Sequence, residues 1–270
     1  MPASFQILSD LHLEHSSGYA AFTITPKAPY LALLGDIGNV CRDKEQFRAF
    51  LKVQLRQFRI VFFVAGNHEA YGSDWEDTVH ELESFEHEVR QDDGLGEFVL
   101  LNRKQYRIPG CDTVVLGCSL FSYIPDGLHI TLGLALNDFR ATRAWDTDLH
   151  NEEHARDLTW LNDSVSALDA EGDGAVVVIF THWSPTVHPT SMDPKHFNTP
   201  LSHGFTTNLR KEACFRSRRV RLWAFGHTHY NCDFVLDREK GEEPIRLVTN
   251  QKGYEGEKVG NFDPEGVVVV

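Results

Sequence analysis

Short, largely apolar runs recur along the chain, and most of them end in a polar turn. Residues 5–8 and 30–34 stop at Ser-Asp and Gly-Asp, which is how buried strands commonly end. Runs of the same kind occupy residues 59–65, 113–117, 175–181, 221–225, 245–249 and 267–270. The pattern therefore predicts eight or more strands.

Apolar residues at spacings of three and four predict helices between these runs. Such stripes run through residues 47–58, 75–89 and 158–168, as in helices that pack one face on a core. Strands alternate with helices at first and dominate the last third of the chain. We therefore predict an α/β fold, either one sheet with outer helices or two stacked sheets flanked by helices.

The chain carries no Pro/Gly/Ser linker, internal repeat or low-complexity tract, so residues 1–270 are predicted to form one domain. Two irregular polar stretches, 120–144 and 183–208, are longer than ordinary connections. Loops of that length inside a compact domain are usually functional. Substrate selectivity is expected to lie in these two stretches.

Composition narrows the classes of protein that fit. The chain has 26 Lys+Arg and 39 Asp+Glu, for a net charge of −13, which argues against a general nucleic-acid binder. No apolar run approaches the ~20 residues of a membrane span, and the N-terminus lacks the pattern of a signal peptide. Five cysteines without a C-x-x-C pair favour a reducing compartment. We expect a soluble cytoplasmic protein that does not bind membranes.

Potential metal ligands follow five of the predicted strands. In α/β sheets the crevice beyond the carboxyl ends of the strands is where ligands bind, so side chains spread along the sequence can meet there. Side chains at i and i+2 of an extended chain point the same way, which predicts that each D-x-H or H-x-H pair addresses one ion cluster. The candidates are Asp10, His12, Asp36, Asn67, His68, His182, His227 and His229.

These residues form five blocks: Asp10-Leu11-His12, Gly35-Asp36, Gly66-Asn67-His68-Glu69, His182 and Gly226-His227-Thr228-His229. In this order they resemble the signature blocks of the calcineurin-like metallophosphoesterases. The resemblance spans residues 7–229, nearly the whole chain. It implies two mixed β-sheets packed face to face as a sandwich, with helices outside, and a dinuclear metal site.

The resemblance also implies a ligand set for each ion. Asp10, His12 and His229 would hold the first metal, Asn67, His182 and His227 the second, and Asp36 would bridge them. Mixed nitrogen and oxygen ligands suit two divalent or mixed-valence ions of Mn, Fe, Zn or Co without selecting among them. Two divalent ions and two aspartates leave the site at about +2, so a small phosphorylated substrate is compatible with an acidic protein.

The implied reaction is hydrolysis of phosphomonoesters, phosphodiesters or both, by attack of a hydroxide that bridges the two metals. His68, expected to turn away from Asn67, would donate to the leaving oxygen, and Glu69 would help to orient it. The family often has a second Asp three residues after the bridging one. Asn39 stands at that place, which weakens the case for His68 as a proton donor more than as a hydrogen-bond donor.

Several alternatives stay open. A phosphoprotein phosphatase would need a peptide groove, a nuclease would be expected to show a basic face, and a binding scaffold on the same fold would have lost catalysis.

His150 and His154 resemble a zinc-protease helix, but no Glu directly follows the first His, so we interpret them as a solvated helix face. The physiological substrate, the metals and the oligomeric state stay open.

Overall fold

The computed structural model describes residues 2–15, 18–238 and 243–270. Two β-sheets, of five and six strands, lie face to face with helices on their outer sides. The predicted sandwich of two mixed sheets with flanking helices is confirmed. Within the described ranges, no helix combines the length and apolar character needed to cross a bilayer.

The first sheet has the order β11-β1-β2-β3-β4, with β11 antiparallel to β1 and the other neighbours parallel. The strands β2 and β3 are buried along their whole length, as expected for parallel strands covered on both faces. The strands are β1 Ser4–Leu8, β2 Tyr30–Leu34, β3 Ile60–Val64, β4 Glu97–Leu100 and β11 Val267–Val269.

The second sheet has the order β5-β6-β7-β8-β10-β9. Its four inner strands are parallel, and the edge strands β5 and β9 are antiparallel to their neighbours. The strands are β5 Lys104–Arg107, β6 Thr113–Gly117, β7 Val176–Phe180, β8 Val220–Ala224, β9 Asp233–Leu236 and β10 Ile245–Val248.

The helices cover the outer faces of the sheets. Phe47 of α2 and Phe85 of α3 pack on the first sheet, whereas Leu161 of α6 packs on the second. Between the sheets, the rings of Phe5 and Phe180 meet edge to face at 5.3 Å. The helices are α1 Gly18–Ala21, α2 Lys44–Leu55, α3 Trp75–Val89, α4 His129–Ala135, α5 Asp138–Ala141, α6 Thr147–Glu171 and α7 Ala213–Arg216.

The interpretation of His150 and His154 as a solvated helix face is wrong. Both lie on α6 and are buried, because aromatic side chains from the stretch before α6 cover this face. The ring of Phe121 lies 5.1 Å from that of His150, and Ser122 Oγ is 3.2 Å from His150 Nε2. The stretch 120–144, predicted to be irregular, itself contains the short helices α4 and α5.

Candidate metal centre

The predicted ligands meet at the carboxyl ends of β1, β2, β3, β7 and β8, where the two sheets face each other. Within each of three donor groups the ligand atoms lie within 4.8 Å of one another. The groups are Asp10 with His12 and His229, His12 with Asp36 and His68, and Asp36 with His182 and His227. The structure thus brings together side chains that are far apart in the sequence.

The distances divide the site into two halves. In the first half, His12 Nε2 lies 3.1 Å from His229 Nε2, which is 3.3 Å from Asp10 Oδ1. In the second half, His182 Nε2 lies 3.1 Å from Asn67 Oδ1 and 3.2 Å from His227 Nδ1. These halves contain the same residues that the family resemblance assigns to the two metals.

Asp36 lies between the two halves. Its Oδ1 is 3.4 Å from His182 Nε2, and its Oδ2 is 4.0 Å from His12 Nε2. Oδ1 also accepts a hydrogen bond from the backbone N–H of His68 at 2.9 Å, which fixes the orientation of the carboxylate. Each oxygen of Asp36 therefore faces a different half of the site.

The backbone reaches this arrangement by a route that differs from our expectation. Asp10, His12, Asp36, His227 and His229 all have positive φ, between 46° and 67°, so they are not in extended chain. Non-glycine residues rarely adopt this conformation, and where they do they cluster at functional sites. The i, i+2 pairs do converge, but through left-handed turns after the strands rather than through strand periodicity.

Two glycines allow the turns to approach closely. A Cβ on Gly66 would collide with the carboxylate of Asp36, and one on Gly226 would collide with Ser9 Oγ. Neither collision could be relieved by a flexible side chain tip alone, because both neighbours are buried. A side chain at either position would displace a candidate ligand or the strand that carries it.

Outer hydrogen bonds turn the ring nitrogens of the histidines towards the centre. His182 Nδ1 donates to the carbonyl of Leu34 at 2.7 Å, so its Nε2 carries the lone pair that faces inward. His229 Nδ1 donates to Glu257 Oε2 at 2.6 Å. Partners of this kind set the tautomer and the ring orientation of metal-binding histidines.

The amide of Asn67 is oriented in the same way. Its Nδ2 donates to the hydroxyl of Tyr71 and to Asp138 Oδ1, both at 2.9 Å, and Tyr71 itself donates to Asp138 at 2.5 Å. The amide oxygen is therefore left facing His182. Asp138 belongs to α5, in the long stretch that was expected to be functional.

His68 has a carboxylate partner that the sequence did not reveal. Its Nδ1 lies 2.7 Å from Glu14 Oε1, whereas the side chain of Asn39 donates to the His68 carbonyl at 2.6 Å. Glu69, predicted to orient His68, instead accepts backbone N–H groups, including those of Asp36 at 2.8 Å and Gly66 at 2.7 Å. Glu14 thus takes the orienting role expected of Glu69, and Glu69 ties two of the ligand turns together.

Burial and neighbouring charges give the histidines different pKa values. Burial lowers the pKa of His12 and of His182 to about 4, so both rings are neutral at neutral pH. Burial also lowers the pKa of His229, but Asp10 and Glu257 outweigh that effect and raise the pKa to about 9. Because neutral imidazole is the metal-binding form, a metal would displace a proton from His229.

The donor set fits transition-metal ions. Two ring nitrogens face each other in each half of the site, 3.1 Å apart in the first and 3.2 Å in the second. Once a metal has displaced the proton of His229, each pair of imidazoles can share only one N–H, so a lone pair remains directed at the space shared with a carboxylate. Imidazole and carboxylate donors together suit Mn, Fe, Co or Zn.

A cavity of about 290 Å³ opens beside these groups. The metal-ligand side of its wall includes Asp36, Asn67, His227 and His229. Both long stretches and the turn 253–257 contribute to the rest of the lining. The other lining residues include Leu136, Asp138, Met192, Lys195, His196, Phe205, Tyr254 and Glu257. A cavity of this size fits a small molecule or part of a larger one.

Comparisons with known proteins identify the family. The family described as calcineurin-like phosphoesterase matches residues 4–231, so the chain belongs to the calcineurin-like phosphoesterases, as the motifs predicted. An uncharacterised protein of Acanthamoeba polyphaga mimivirus is 26% identical over 276 residues, covering 95% of this chain and 93% of that protein. The crystal structure of phosphopantetheinyl hydrolase from Mycobacterium tuberculosis has the same fold, with a TM-score of 0.62 and 17% identity over 94% of this chain and 90% of that one.

Proposed function

We propose that the protein hydrolyses phosphate esters with two metal ions bound between its sheets. The observation that carries the proposal is the placement of Asp36, whose two oxygens face different halves of the site. Membership of a phosphoesterase family and the shared fold of a hydrolase support it. Two bound ions would polarise the phosphoryl oxygens and activate a water molecule for attack.

The protein's own residues divide the work. Asp10, His12 and His229 would hold one ion and Asn67, His182 and His227 the other, with Asp36 in contact with both. His68 is the catalytic side chain in this proposal. Its Nε2 lies 3.9 Å from Asp36 Oδ2, next to the ligand atoms, and its Nδ1 contacts Glu14. Because Nδ1 donates to Glu14, the doubly protonated ring would donate from Nε2 to the leaving oxygen, where one well-aligned donor contributes ~10²-fold or more.

Phosphomonoesters and phosphodiesters are both candidate substrates. The cavity favours a small phosphorylated molecule over a phosphoprotein, because a peptide would need an extended groove. The net charge of −13 makes nucleic acid an unfavourable partner. A binding scaffold would not need the hydrogen bond by which Glu14 orients His68 beside the ligand atoms.

The test is metal analysis of the purified protein together with turnover of paired nitrophenyl mono- and diesters. We expect two ions per chain, loss of turnover after chelation, and recovery when Mn, Fe, Zn or Co is returned. Turnover that persists without metal would contradict the proposal. Absence of both metal and turnover would support a binding scaffold instead.

A further inference from the structure

The side chain of Tyr254 lies over the candidate metal centre. Its ring stacks on that of His12 at 4.2 Å with an interplanar angle of 29°, and it meets the ring of His229 at 4.7 Å. Its hydroxyl is 3.1 Å from His68 Nε2. The residue is 43% exposed and lines the cavity, so a substrate in the cavity would contact it.

The turn that carries Tyr254 is fixed to the ligands on two sides. The backbone N–H of Tyr254 donates to Glu257 Oε2 at 3.0 Å, and the same oxygen accepts from His229 Nδ1. On the other side, the N–H of Gly253 donates to the carbonyl of Asp10 at 3.0 Å. The position of the hydroxyl is therefore set by the same residues that set the metal ligands.

Packing alone does not account for a tyrosine here. A phenylalanine would make the same ring contacts with His12 and His229, so the feature that distinguishes Tyr254 is its hydroxyl. That hydroxyl completes a series of hydrogen bonds from Glu14 through His68 to the cavity. An oxygen atom of a substrate placed beside His68 Nε2 would lie beside the hydroxyl as well.

We propose that Tyr254 is a further catalytic residue whose hydroxyl, together with His68, donates a hydrogen bond to the leaving oxygen of the ester. The inference rests on the proposed function and assigns an additional group to it. As the oxygen of a water molecule bonds to phosphorus, the bond from phosphorus to the leaving oxygen breaks and its electron pair stays on that oxygen. The hydroxyl stabilises this charge while keeping its own proton, and the leaving oxygen ends with the proton that the water has lost. No reactant beyond ester and water is needed.

The role predicts a dependence on the leaving group. Nitrophenolate spreads its negative charge into the ring, so it needs little help from a donor, whereas an alkoxide needs it most. In Tyr254→Phe, kcat for an alkyl phosphate ester should fall by ~10–10²-fold. The loss for the matched nitrophenyl ester should stay within about threefold.

Two readouts other than turnover accompany this test. Metal content of Tyr254→Phe should equal that of the wild type, because the hydroxyl is not a ligand. The Kd of inorganic phosphate, measured by calorimetry on the metal-loaded protein, should change by less than about twofold, since the donor acts on the departing oxygen. Tyr123 is an exposed tyrosine outside the cavity lining, so Tyr123→Phe is the matched control. It should change neither kcat for the two esters, nor metal content, nor the Kd of phosphate.

The outcomes separate the two proposals. A selective loss on the alkyl ester supports the role of Tyr254. Equal losses on both esters, no loss on either, or a tenfold weaker phosphate Kd would overturn it while leaving the phosphoesterase intact. Metal-loaded wild-type protein that hydrolyses neither ester would overturn the proposed function, and the assignment of Tyr254 with it.

Discussion

Two regions of this protein bury histidines next to an aspartate, and they differ in how those groups are paired. One is the candidate metal centre around Asp36, called the metal centre below. The other, the α6 polar face, consists of His150, His154 and Asp157, all of which are buried. Burial of these residue types therefore does not by itself distinguish a metal site from a structural cluster.

The difference lies in the partners. On the α6 polar face, Asp157 accepts from Arg103 and from the N–H of Leu120, both at 2.7 Å, and His154 Nδ1 donates to the carbonyl of Phe121 at 2.6 Å. In the metal centre, ring nitrogens face other ring nitrogens and carboxylate oxygens instead. One buried ring nitrogen of the α6 polar face, His150 Nδ1, has no hydrogen-bond partner, but a single unpaired nitrogen does not make a metal site. Lone pairs that converge on a shared space can hold a cation.

The largest difference in metal content and turnover is expected between variants of the two buried aspartates, Asp36 and Asp157. Asp36→Asn removes the carboxylate that faces both halves of the centre, so bound metal should fall from two ions per chain to one or none. Loss of several kcal/mol of transition-state stabilisation corresponds to about 10³-fold or more in turnover. Metal analysis and nitrophenyl ester assays measure both effects.

Asp157→Asn is the matched control for this prediction. It should leave metal content and turnover unchanged and lower the free energy of unfolding by about 1–3 kcal/mol, because the amide keeps one oxygen and one of the two donors, Arg103 or Leu120, loses its acceptor. Full activity and full metal content in Asp36→Asn would contradict the assignment of the centre.

His68→Ala should produce the next largest effect. His68 lies within the donor group of His12 and Asp36, but Glu14 holds its Nδ1 and Tyr254 contacts its Nε2. We expect metal analysis to show both metals still bound, and kcat for an alkyl phosphate ester to fall by ~10²-fold or more. Loss of a metal ion from this variant would instead show that His68 is a ligand.

The sequence was sufficient for most of the strands that bury an apolar run, although β4 was missed even though three of its four residues are buried. The strands β2, β3 and β7 were predicted because nearly every residue in them is buried. The edge strands β5 and β9 were missed because their residues alternate between partly buried and exposed positions, so they carry no apolar run. An edge strand is recognised by its neighbour, and that pairing is not a local property of the chain.

The same limit applies to the candidate site. Side chains next to strand ends could be predicted, because the ends of parallel strands share one edge of a sheet. Glu14, Asp138 and Tyr254 could not, since each depends on where a distant turn docks: Asp138 contacts Asn67 across 71 residues and Tyr254 contacts His68 across 186. The one local signal for Glu14 was its position two residues after His12.

Variants of Glu14 and Glu257, the carboxylates that accept hydrogen bonds from His68 and His229, should separate the positioning of His68 from metal binding. Glu14→Gln removes the negative charge beside His68 Nδ1 and, at 3.4 Å, beside His12 Nδ1. It should therefore lower kcat for an alkyl phosphate ester by about 10-fold even at saturating metal. Glu257→Gln weakens the partner of His229 and should lower metal affinity by about 10-fold, with kcat recovered at saturating metal. Kinetics across a metal titration distinguish the two, and identical behaviour of the two variants would refute the separation.

The smallest effect concerns the α6 polar face and the pH dependence of stability. Burial lowers the pKa of His150 from its ordinary 6.5 to about 3, so below pH 6.5 the unfolded chain takes up a proton that the folded protein refuses. The contribution of the neutral, buried ring to the free energy of unfolding is fully present above pH 6.5. Below pH 6.5 the free energy of unfolding falls by about 1.4 kcal/mol for each pH unit. In metal-free protein, His150→Leu should therefore reduce the loss of unfolding free energy between about pH 7.5 and 5.5 by about 1.4 kcal/mol. Urea unfolding at both pH values measures it, and the exposed His87→Leu is the control expected to match wild type. Equal pH sensitivity of the unfolding free energy in His150→Leu and wild type would mean that water reaches His150. The α6 polar face would then not be the buried structural cluster with which the metal centre is compared.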